Sequence, residues 1–490
     1  MKSKQSKHPV VLKLCAAAVL GLGAGAAFAG VPADQPAAPV ARGVAIVEET
    51  DRIIVKYKDE TAPVVAGADG TVARAAAGAL APLSTARKAI VDRAGQQFGF
   101  LLSESHKIAT GARIFKLSRK TSLSEAAQVA AELMARDSTV EYAEPDRMMH
   151  PLLTPNDSRY TEQWDFYETT GGMRVPAAWD KATGTGIRVA VIDTGYRPHA
   201  DLNGQIVAGY DFISDTAVSN DGNGRDSDAQ DPGDWTAAGE CGAGQPASNS
   251  SWHGTHVAGT IAALTNNGSG VAGIAYGAKI VPVRVLGKCG GYTSDIADGI
   301  IWASGGTVSG VTKIASRAQV INMSLGGSGR CDTTTQNAIN SARSRGTVVV
   351  VAAGNEAQNA SNSNPANCSG VITVAATNRA GGRASYSNYG TIVDVAAPGG
   401  DSGTGGGILS TLNAGTKGPG ADSYASYMGT SMATPHVAAV VALMLSKNPN
   451  LTPDQVETKL KSSARAFPAS CSGCGVGIVD ASAAVTAATQ

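Results

Sequence analysis

The chain has 490 residues, which is long enough for one large domain and a smaller one. Its 40 Lys and Arg residues balance its 40 Asp and Glu residues, so the chain lacks the net positive charge that would indicate a nucleic-acid or acidic partner. With 43% hydrophobic residues and 59 scattered glycines, the composition excludes a disordered chain and favours a compact α/β core.

Residues 1–29 have the pattern of a secretory signal. Four early lysines precede an apolar stretch from Leu14 to Phe28, and residues 27–29 form an A-x-A cleavage site. The apolar stretch is too short for a membrane anchor, and no later segment has the length to span a membrane. We therefore expect a secreted, extracellular protein that has no membrane attachment after signal removal.

A small α+β domain is predicted over about 50–146, after an Ala- and Pro-rich linker at 31–43. An Ala- and Gly-rich insertion covers 60–82. Strand patterns fall at 52–57, 106–109, 112–117 and 139–143, and helix patterns at 84–98 and 123–135. The resulting order β-α-β-β-α-β predicts a ferredoxin-like fold.

Beyond residue 155, strand and helix patterns alternate. The predicted strands are 187–192, 206–208, 279–285, 318–323, 347–352 and 371–376. The predicted helices are 253–264, 294–304, 333–345, 431–446 and 453–462. This alternation predicts an α/β domain with a mostly parallel sheet and helices on both faces. Sites in such sheets form at the carboxyl ends of strands, where Asp193, Ser324 and Asn355 fall.

Three motifs in this larger domain carry the groups of serine-based nucleophilic catalysis. A D-T-G motif at Asp193 ends a strand, an H-G-T-H-V-A-G-T motif at His253 begins a helix, and G-T-S-M-A-T-P-H around Ser431 opens a buried helix. A serine needs a base to take its proton, histidine with a pKa near ~6.5 suits that task, and a buried Asp orients the ring. A serine at a helix start also lies where free N–H groups favour an oxyanion.

The order Asp, His, Ser is that of subtilisin, and in these three motifs the sequence resembles the subtilisin-like serine proteases, or subtilases. The resemblance covers roughly residues 155–487. It implies a serine endopeptidase that hydrolyses protein or peptide substrates through an acyl-enzyme, with Asp193, His253 and Ser431 as the catalytic triad. The choice of His253 over His256 rests on the resemblance, since spacing alone does not separate them. We expect a monomer.

The same resemblance implies roles for residues around the nucleophile. Asn355 matches the oxyanion-hole amide, with the backbone N–H of Ser431 as the second donor. A substrate paired as an added strand would bind to a segment containing Ser324, Leu325 and Gly326. The loop 287–292 is expected to form the opposite wall of the cleft. His199 and His436 are expected to be structural.

The small N-terminal domain resembles the inhibitory propeptide of the subtilases, which is a folding chaperone and a temporary intramolecular inhibitor. Its position between a signal and the protease favours this interpretation over an ordinary accessory domain. The implied division is a signal peptide at 1–29, a propeptide at 30–150 and a catalytic domain at 151–490, with the junction between 146 and 155. The family cuts this junction itself, so we expect autoprocessing from a precursor.

Calcium is the cofactor that the resemblance implies. The ligands that match the family's strong site are the side chains of Asp157, Asp201 and Asn267 and the carbonyls of Leu264, Ser269 and Val271. Hard oxygen ligands on flexible loops suit Ca²⁺. A second, weaker candidate is the acidic loop containing Asp221, Asp226, Asp228 and Asp231. For that loop, a solvated acidic segment is the alternative.

Six cysteines remain after the signal, and an even number in an exported chain predicts three disulfides with 15 possible connectivities. We take the pairs nearest in sequence as the prediction: Cys241–Cys289, Cys331–Cys368 and Cys471–Cys474. The last pair is a C-x-x-C motif, which is also compatible with redox or zinc chemistry, but no second such motif accompanies it.

Two other functions are compatible with the sequence. A catalytically silent subtilase fold would act as a binding protein, which the intact Asp193, His253, Ser431 and Asn355 argue against. An esterase of another serine hydrolase class would carry a G-x-S-x-G elbow, and the sequence around Ser431 lacks it.

Overall fold

The computed structural model describes residues 49–58, 83–148, 154–402 and 406–490. The predicted signal, the linker at 31–43 and the insertion at 60–82 lie outside the described residues, as does most of the predicted junction between 146 and 155. Within the described part of the chain, none of the helices combines the length and the hydrophobicity needed to cross a membrane.

The small domain has the predicted β-α-β-β-α-β order. Its elements are β1 (Glu49–Tyr57), α1 (Thr85–Gln97), β2 (Leu102–Lys107), β3 (Arg113–Ser122), α2 (Leu123–Arg136) and β4 (Val140–Pro145). The strands form one antiparallel sheet in the order β2-β3-β1-β4. Alternate residues of β1, among them Ile53 and Val55, are buried with Val91 of α1 and Val129 of α2. The period of two along β1 therefore gives this domain its own core.

The strand predicted at 106–109 is wrong in its bounds. Strand β2 ends at Lys107 because the chain turns immediately afterwards. The N–H of Ile108 donates to the carbonyl of Ala112, and Gly111 adopts a φ of 85° inside the turn. The residues that pair with β3 are therefore 102–107, which lie on the N-terminal side of the predicted segment.

The larger domain is an α/β structure, as predicted. Its strands are β5 (Arg188–Asp193), β6 (Tyr210–Asp211), β7 (Lys279–Arg284), β8 (Val320–Met323), β9 (Gly327–Ser328), β10 (Val348–Ala352), β11 (Ser363–Asn364), β12 (Ile372–Thr377), β13 (Val395–Pro398), β14 (Ile408–Asn413) and β15 (Asp422–Tyr427). Its helices are α3 (Trp164–Tyr167), α4 (Pro176–Trp179), α5 (Thr216–Ser219), α6 (His253–Ala262), α7 (Thr293–Ala303), α8 (Thr333–Ser344), α9 (Thr430–Lys447), α10 (Pro453–Ser463) and α11 (Ala481–Ala487).

Seven of these strands form a parallel sheet in the order β13-β12-β10-β8-β5-β7-β6. Val189 and Val191 of β5 belong to the core that contains α6 and α9. Ala190 and Ile192 belong to the core on the other face, with α7 and α8. Strand order changes direction at β5, which places a crevice at the carboxyl ends of β5, β8 and β10.

The strand predicted at 206–208 is also wrong. Only Ile206 makes a bridge there, to Ile280, and the strand β6 lies later, at residues 210–211. Pro282 of β7 lies between the two points of pairing and has no N–H to donate. The edge of the sheet is therefore interrupted opposite the proline and resumes after it.

The predicted elements do not include β13, α11 or the hairpin formed by β14 and β15. The three predicted disulfides are confirmed. Cys241 is bonded to Cys289, Cys331 to Cys368 and Cys471 to Cys474. The two cysteines of the C-x-x-C motif are thus bonded to each other.

Candidate active site

Asp193 and His253 meet where the end of a strand faces the start of a helix. Asp193 is the last residue of β5 and is fully buried, whereas His253 is the first residue of α6, with 21% of its side chain exposed. The Nδ1 atom of His253 lies 2.8 Å from Oδ1 and 3.0 Å from Oδ2 of Asp193. A carboxylate can only accept, so Nδ1 carries the proton and Nε2 is left as the basic nitrogen.

His256, one turn further along α6, has a different environment. Its ring is fully buried and stacks on Tyr427 with a centroid separation of 4.6 Å, and its Nε2 lies 3.0 Å from the carbonyl of Ala425. Burial lowers the pKa of His256 to about 3, so the ring stays neutral. Its position excludes it from the cleft and leaves His253 as the histidine that faces Asp193.

The charges around His253 favour its protonated form. Burial by itself lowers the pKa of this imidazole, but the charge and hydrogen bond of Asp193, with further contributions from Asp234 and Asp231, raise it above its ordinary value. Asp234 is not among the residues predicted for the site. Asp234 accepts hydrogen bonds from the backbone N–H and the hydroxyl of Ser251, two residues before His253.

Ser431 lies in the first turn of α9, as predicted from the motif. Its hydroxyl donates to the carbonyl of Ser324 at 3.1 Å. In the described part of the chain, this hydroxyl makes no hydrogen bond to His253. The hydroxyl of Ser324 in turn donates to the carbonyl of Ser431 at 2.8 Å. The nucleophile candidate and the end of β8 are thus held together by two reciprocal hydrogen bonds.

The side chain of Asn355 is oriented by Thr430, a residue that sequence analysis did not assign to the site. The backbone N–H of Thr430 donates to Asn355 Oδ1 at 2.8 Å, and the Thr430 hydroxyl donates to the same atom at 2.9 Å. A backbone N–H can only donate, so the amide oxygen must face it. The Nδ2 group then points away from Thr430 and makes no hydrogen bond to the described residues.

These groups lie along one cleft. A cavity of about 560 Å³ is lined by Ser431, Asn355, Leu325 and Gly326, and Glu356 is the single charged residue of its lining. A second cavity, of about 470 Å³, is lined by His253. Residues 289 and 290 and Ser324 line both cavities, which agrees with the expected position of the 287–292 loop as a wall.

His199 and His436 lie outside this cleft and are buried. Nε2 of His436 lies 2.9 Å from Asp165 Oδ2, and its Nδ1 lies 2.8 Å from the carbonyl of Met432. Nε2 of His199 lies 3.0 Å from the carbonyl of Ser423, while its Nδ1 accepts the N–H of Asp201. Both rings are therefore engaged in holding the fold.

The residues expected to bind calcium are gathered in one place. Oδ1 of Asp157 is buried and has no hydrogen-bond partner, and the charge of Asp157 acts on Asp201. Burial raises the pKa of both carboxyl groups because it disfavours their charged form, and a bound cation would stabilise that charged form. Asn267 Nδ2 donates to Asp201 Oδ1 at 2.7 Å. No described residue donates to the carbonyls of Leu264, Ser269 and Val271. Asp157 Oδ1 and the three carbonyl oxygens are ligands of the kind that calcium prefers, whereas Asn267 Oδ1 accepts the N–H of Ser269 at 2.8 Å.

The weaker calcium candidate fits less well. A cavity of about 230 Å³ is lined by Asp221, Asp226 and Asp228, but also by the cation Arg197, and Asp231 is not part of it. Oδ2 of Asp221 already accepts from Arg284 Nη1 at 2.8 Å. Among the described residues, no cluster of three or more His, Cys, Asp or Glu side chains is arranged for metal binding.

The fold and this site define a protein of the serine peptidase class, and comparisons with known proteins agree. The sequence profile of the Subtilase family matches residues 184–477. The chain is 58% identical over 449 residues to an extracellular protease of Xanthomonas campestris pv. campestris, covering 91% of this chain and 74% of that protein. It is 43% identical over 452 residues to the extracellular basic protease of Dichelobacter nodosus, and the match covers 90% of this chain and 71% of that protein.

A solved structure of a protease from Pseudoalteromonas arctica is similar as well. It has 64% sequence identity and a TM-score of 0.68, and the match covers 69% of this chain and all of that one. The chain belongs to the subtilase family and is a serine endopeptidase.

Proposed function

We propose that this chain is a secreted subtilase that cuts peptide bonds with Asp193, His253 and Ser431. The observation that carries the proposal is the 2.8 Å contact between His253 Nδ1 and Asp193 Oδ1, at the edge of the cleft that contains Ser431. That contact fixes the tautomer in which Nε2 is free to take a proton.

In the proposed reaction, Ser431 Oγ leaves its hydrogen bond to Ser324 and attacks the substrate carbonyl carbon while its proton passes to His253 Nε2. The imidazolium is stabilised by Asp193 and then gives the Nε2 proton to the leaving amine, so that the peptide C–N bond breaks and an acyl-enzyme ester remains. Water next attacks the ester carbonyl carbon and gives a proton to Nε2. Nε2 then passes that proton to Ser431 Oγ as the ester C–O bond breaks, which restores the hydroxyl and releases the acid.

The charge that develops on the substrate oxygen has two proposed donors. One is the Nδ2 group of Asn355, whose amide is held by Thr430, and the other is the backbone N–H of Ser431 at the start of α9. Substrate backbone would lie along residues 324–326, where Gly326 leaves room for close approach. Proteins and peptides in an extended conformation are the proposed substrates.

We further propose that the chain is made as a precursor, with a signal at 1–29, a propeptide at 30–150 and a catalytic domain at 151–490. The separate core of the β-α-β-β-α-β domain supports a propeptide that folds as a unit. The names of the two relatives support export. On this proposal the propeptide inhibits the enzyme as part of the same chain until the junction is cut, and the mature enzyme is a monomer.

Calcium is proposed to bind between Asp157, Asp201 and Asn267. When bound, the ion would neutralise two buried carboxylates and tie three loops together. It would contribute to stability and takes no part in the proposed reaction. Asp201 also accepts a hydrogen bond from the hydroxyl of Tyr424 in β15, which links this site to the β14–β15 hairpin.

The test of the proposed nucleophile is covalent labelling with a fluorophosphonate, read by intact mass and peptide mapping. We expect wild type to take one label on Ser431 and the Ser431→Ala variant to take none. The matched control is Ser446→Ala on the same helix, whose hydroxyl only donates to the carbonyl of Leu443, and which should label like wild type. Labelling of Ser431→Ala, or casein left uncut while short esters are hydrolysed, would contradict the proposal.

A further inference from the structure

Trp252, the residue directly before His253, has an unusual backbone conformation. Its φ of 50° and ψ of 32° place it in the left-handed region, at the N-cap of α6. A bulky side chain is disfavoured in that region, because Cβ crowds the following carbonyl oxygen. Such a conformation persists only where surrounding contacts impose it, and it is often found at functional sites.

The contacts that impose it come from the loop between β14 and β15. The indole is 1% exposed, and its Nε1–H donates to the carbonyl of Gly415 at 2.7 Å. Two residues earlier, the N–H of Ser250 donates to the carbonyl of Thr416 at 2.8 Å. The loop is itself held closed by Asn413, whose Oδ1 accepts the N–H groups of Gly415 and Gly420.

The backbone of Trp252 also determines how α6 begins. Its carbonyl accepts the first two hydrogen bonds of the helix, from the N–H groups of Thr255 and His256. The direction of that carbonyl therefore sets the direction of the first turn, which is where His253 is attached. Among the described residues other than glycine, no other direct sequence neighbour of Asp193, His253 or Ser431 has a positive φ; Cys289, with a φ of 62°, lines the cleft but is remote from them in sequence.

We propose that Trp252 is a positioning residue: its left-handed backbone, locked by the indole hydrogen bond to Gly415, sets the direction from which α6 presents His253 to Asp193 and Ser431. The inference rests on the proposed triad. Trp252 acts through His253 and touches neither the substrate nor the reacting atoms.

The decisive comparison is between Trp252→Gly and Trp252→Ala in the full chain, with kcat referred to the concentration of fluorophosphonate-titrated sites. Both variants lose the ring and the indole hydrogen bond. Only glycine adopts a φ near 50° without strain. We expect kcat to fall in the order wild type, Gly, Ala, with Gly about fivefold above Ala and KM within about twofold throughout.

A conservative pair separates positioning from loss of stability. Trp252→Phe keeps a ring but loses the N–H donor, and we expect a loss in kcat of roughly tenfold or more. The matched control is Trp179→Phe, which removes an equally buried indole hydrogen bond, to the carbonyl of Ile274 at 2.8 Å, from a residue outside the cleft. That control should lower the melting temperature by a similar amount and leave kcat unchanged.

Equal kcat for the Gly and Ala variants, or Trp252→Phe as active as Trp179→Phe, would overturn the positioning role while leaving the triad intact. Variants that unfold do not obscure the result, because only titrated sites are counted and the conservative Phe pair provides a second measurement. An inactive wild type, or a His253→Ala variant of full activity, would instead overturn the proposed function.

Discussion

Replacing Asn355 tests whether its amide stabilises the oxyanion or only supports the fold. Asn355 has two functions in the structure: its Oδ1 accepts two hydrogen bonds from Thr430, and its Nδ2 is free to donate into the cleft. Asn355→Ala removes both functions. Asn355→Asp keeps an acceptor for Thr430 but has no donor, so it isolates the second function.

The expected magnitude follows from the number of donors lost. Removal of one oxyanion donor lowers kcat by roughly 10²–10³, a range carried over from subtilisin itself. This corresponds to about 2.7–4 kcal/mol of transition-state stabilisation, at about 1.4 kcal/mol for each factor of ten. Because the donor acts on the charge that forms in the transition state, KM should change little. Asn355→Asp should lose at least as much as Asn355→Ala, since its carboxylate repels the oxyanion.

The assay is steady-state hydrolysis of a chromogenic peptide, with the active sites titrated and the melting temperature measured for each variant. Both variants should show the fall in kcat, while Asn355→Asp should keep more of the wild-type melting temperature than Asn355→Ala. If Asn355→Asp kept near wild-type kcat, the role of Asn355 would be to hold Thr430, and the oxyanion assignment would be refuted.

Three further predictions concern the pKa of His253, the calcium residues and the cleavage of the junction. The charge of Asp234 helps to raise the pKa of His253, so Asp234→Asn should move the acidic limb of the kcat/KM profile to lower pH, with a smaller shift in 1 M salt. A limb that does not move, or that moves to higher pH, would contradict this. If the folded state binds calcium, chelating calcium that was present at 100 times its Kd should lower the free energy of unfolding by about 2.7 kcal/mol and lower the thermal inactivation temperature. Asp201→Ala should abolish that response, and a variant as sensitive to calcium as wild type would refute the site. If Ser431 cuts the junction, Ser431→Ala should accumulate as signal-free precursor in a host without extracellular proteases, and a variant of mature size would show that another enzyme makes the cut.

Much of the site could be predicted from local sequence because each reactive group lies at an end of an element. Asp193 ends a β-branched strand, and Ser431 begins a long apolar helix, and both patterns are visible without tertiary contacts. The parallel sheet then brings these ends to one edge. The β-α-β-β-α-β order and the cysteine pairs nearest in sequence were predictable for a similar reason, since each depends on neighbouring segments.

Spacing alone, by contrast, could not separate His253 from His256, because both lie on the same helix three residues apart. Tertiary structure separates them: one ring faces a buried carboxylate, and the other is stacked on Tyr427 and kept neutral by burial. The orientation of Asn355 is likewise decided by Thr430, a residue 75 positions away in the chain.

The β14–β15 hairpin shows most clearly what the sequence by itself determined and what it did not. The amino-acid pattern was enough to predict the strands and helices that bury apolar side chains at a regular period. The hairpin buries polar side chains beside apolar ones: Ile408 and Leu409 are buried, and the next two residues, Ser410 and Thr411, donate to the backbone carbonyls of α6 at His256 and Thr255. Such hydrogen bonds satisfy buried hydroxyl groups only once the partner helix is in place, so no hydrophobic period marks them. On the proposed role of Trp252, the position of His253 depends on this hairpin, whose structure only tertiary contacts could decide.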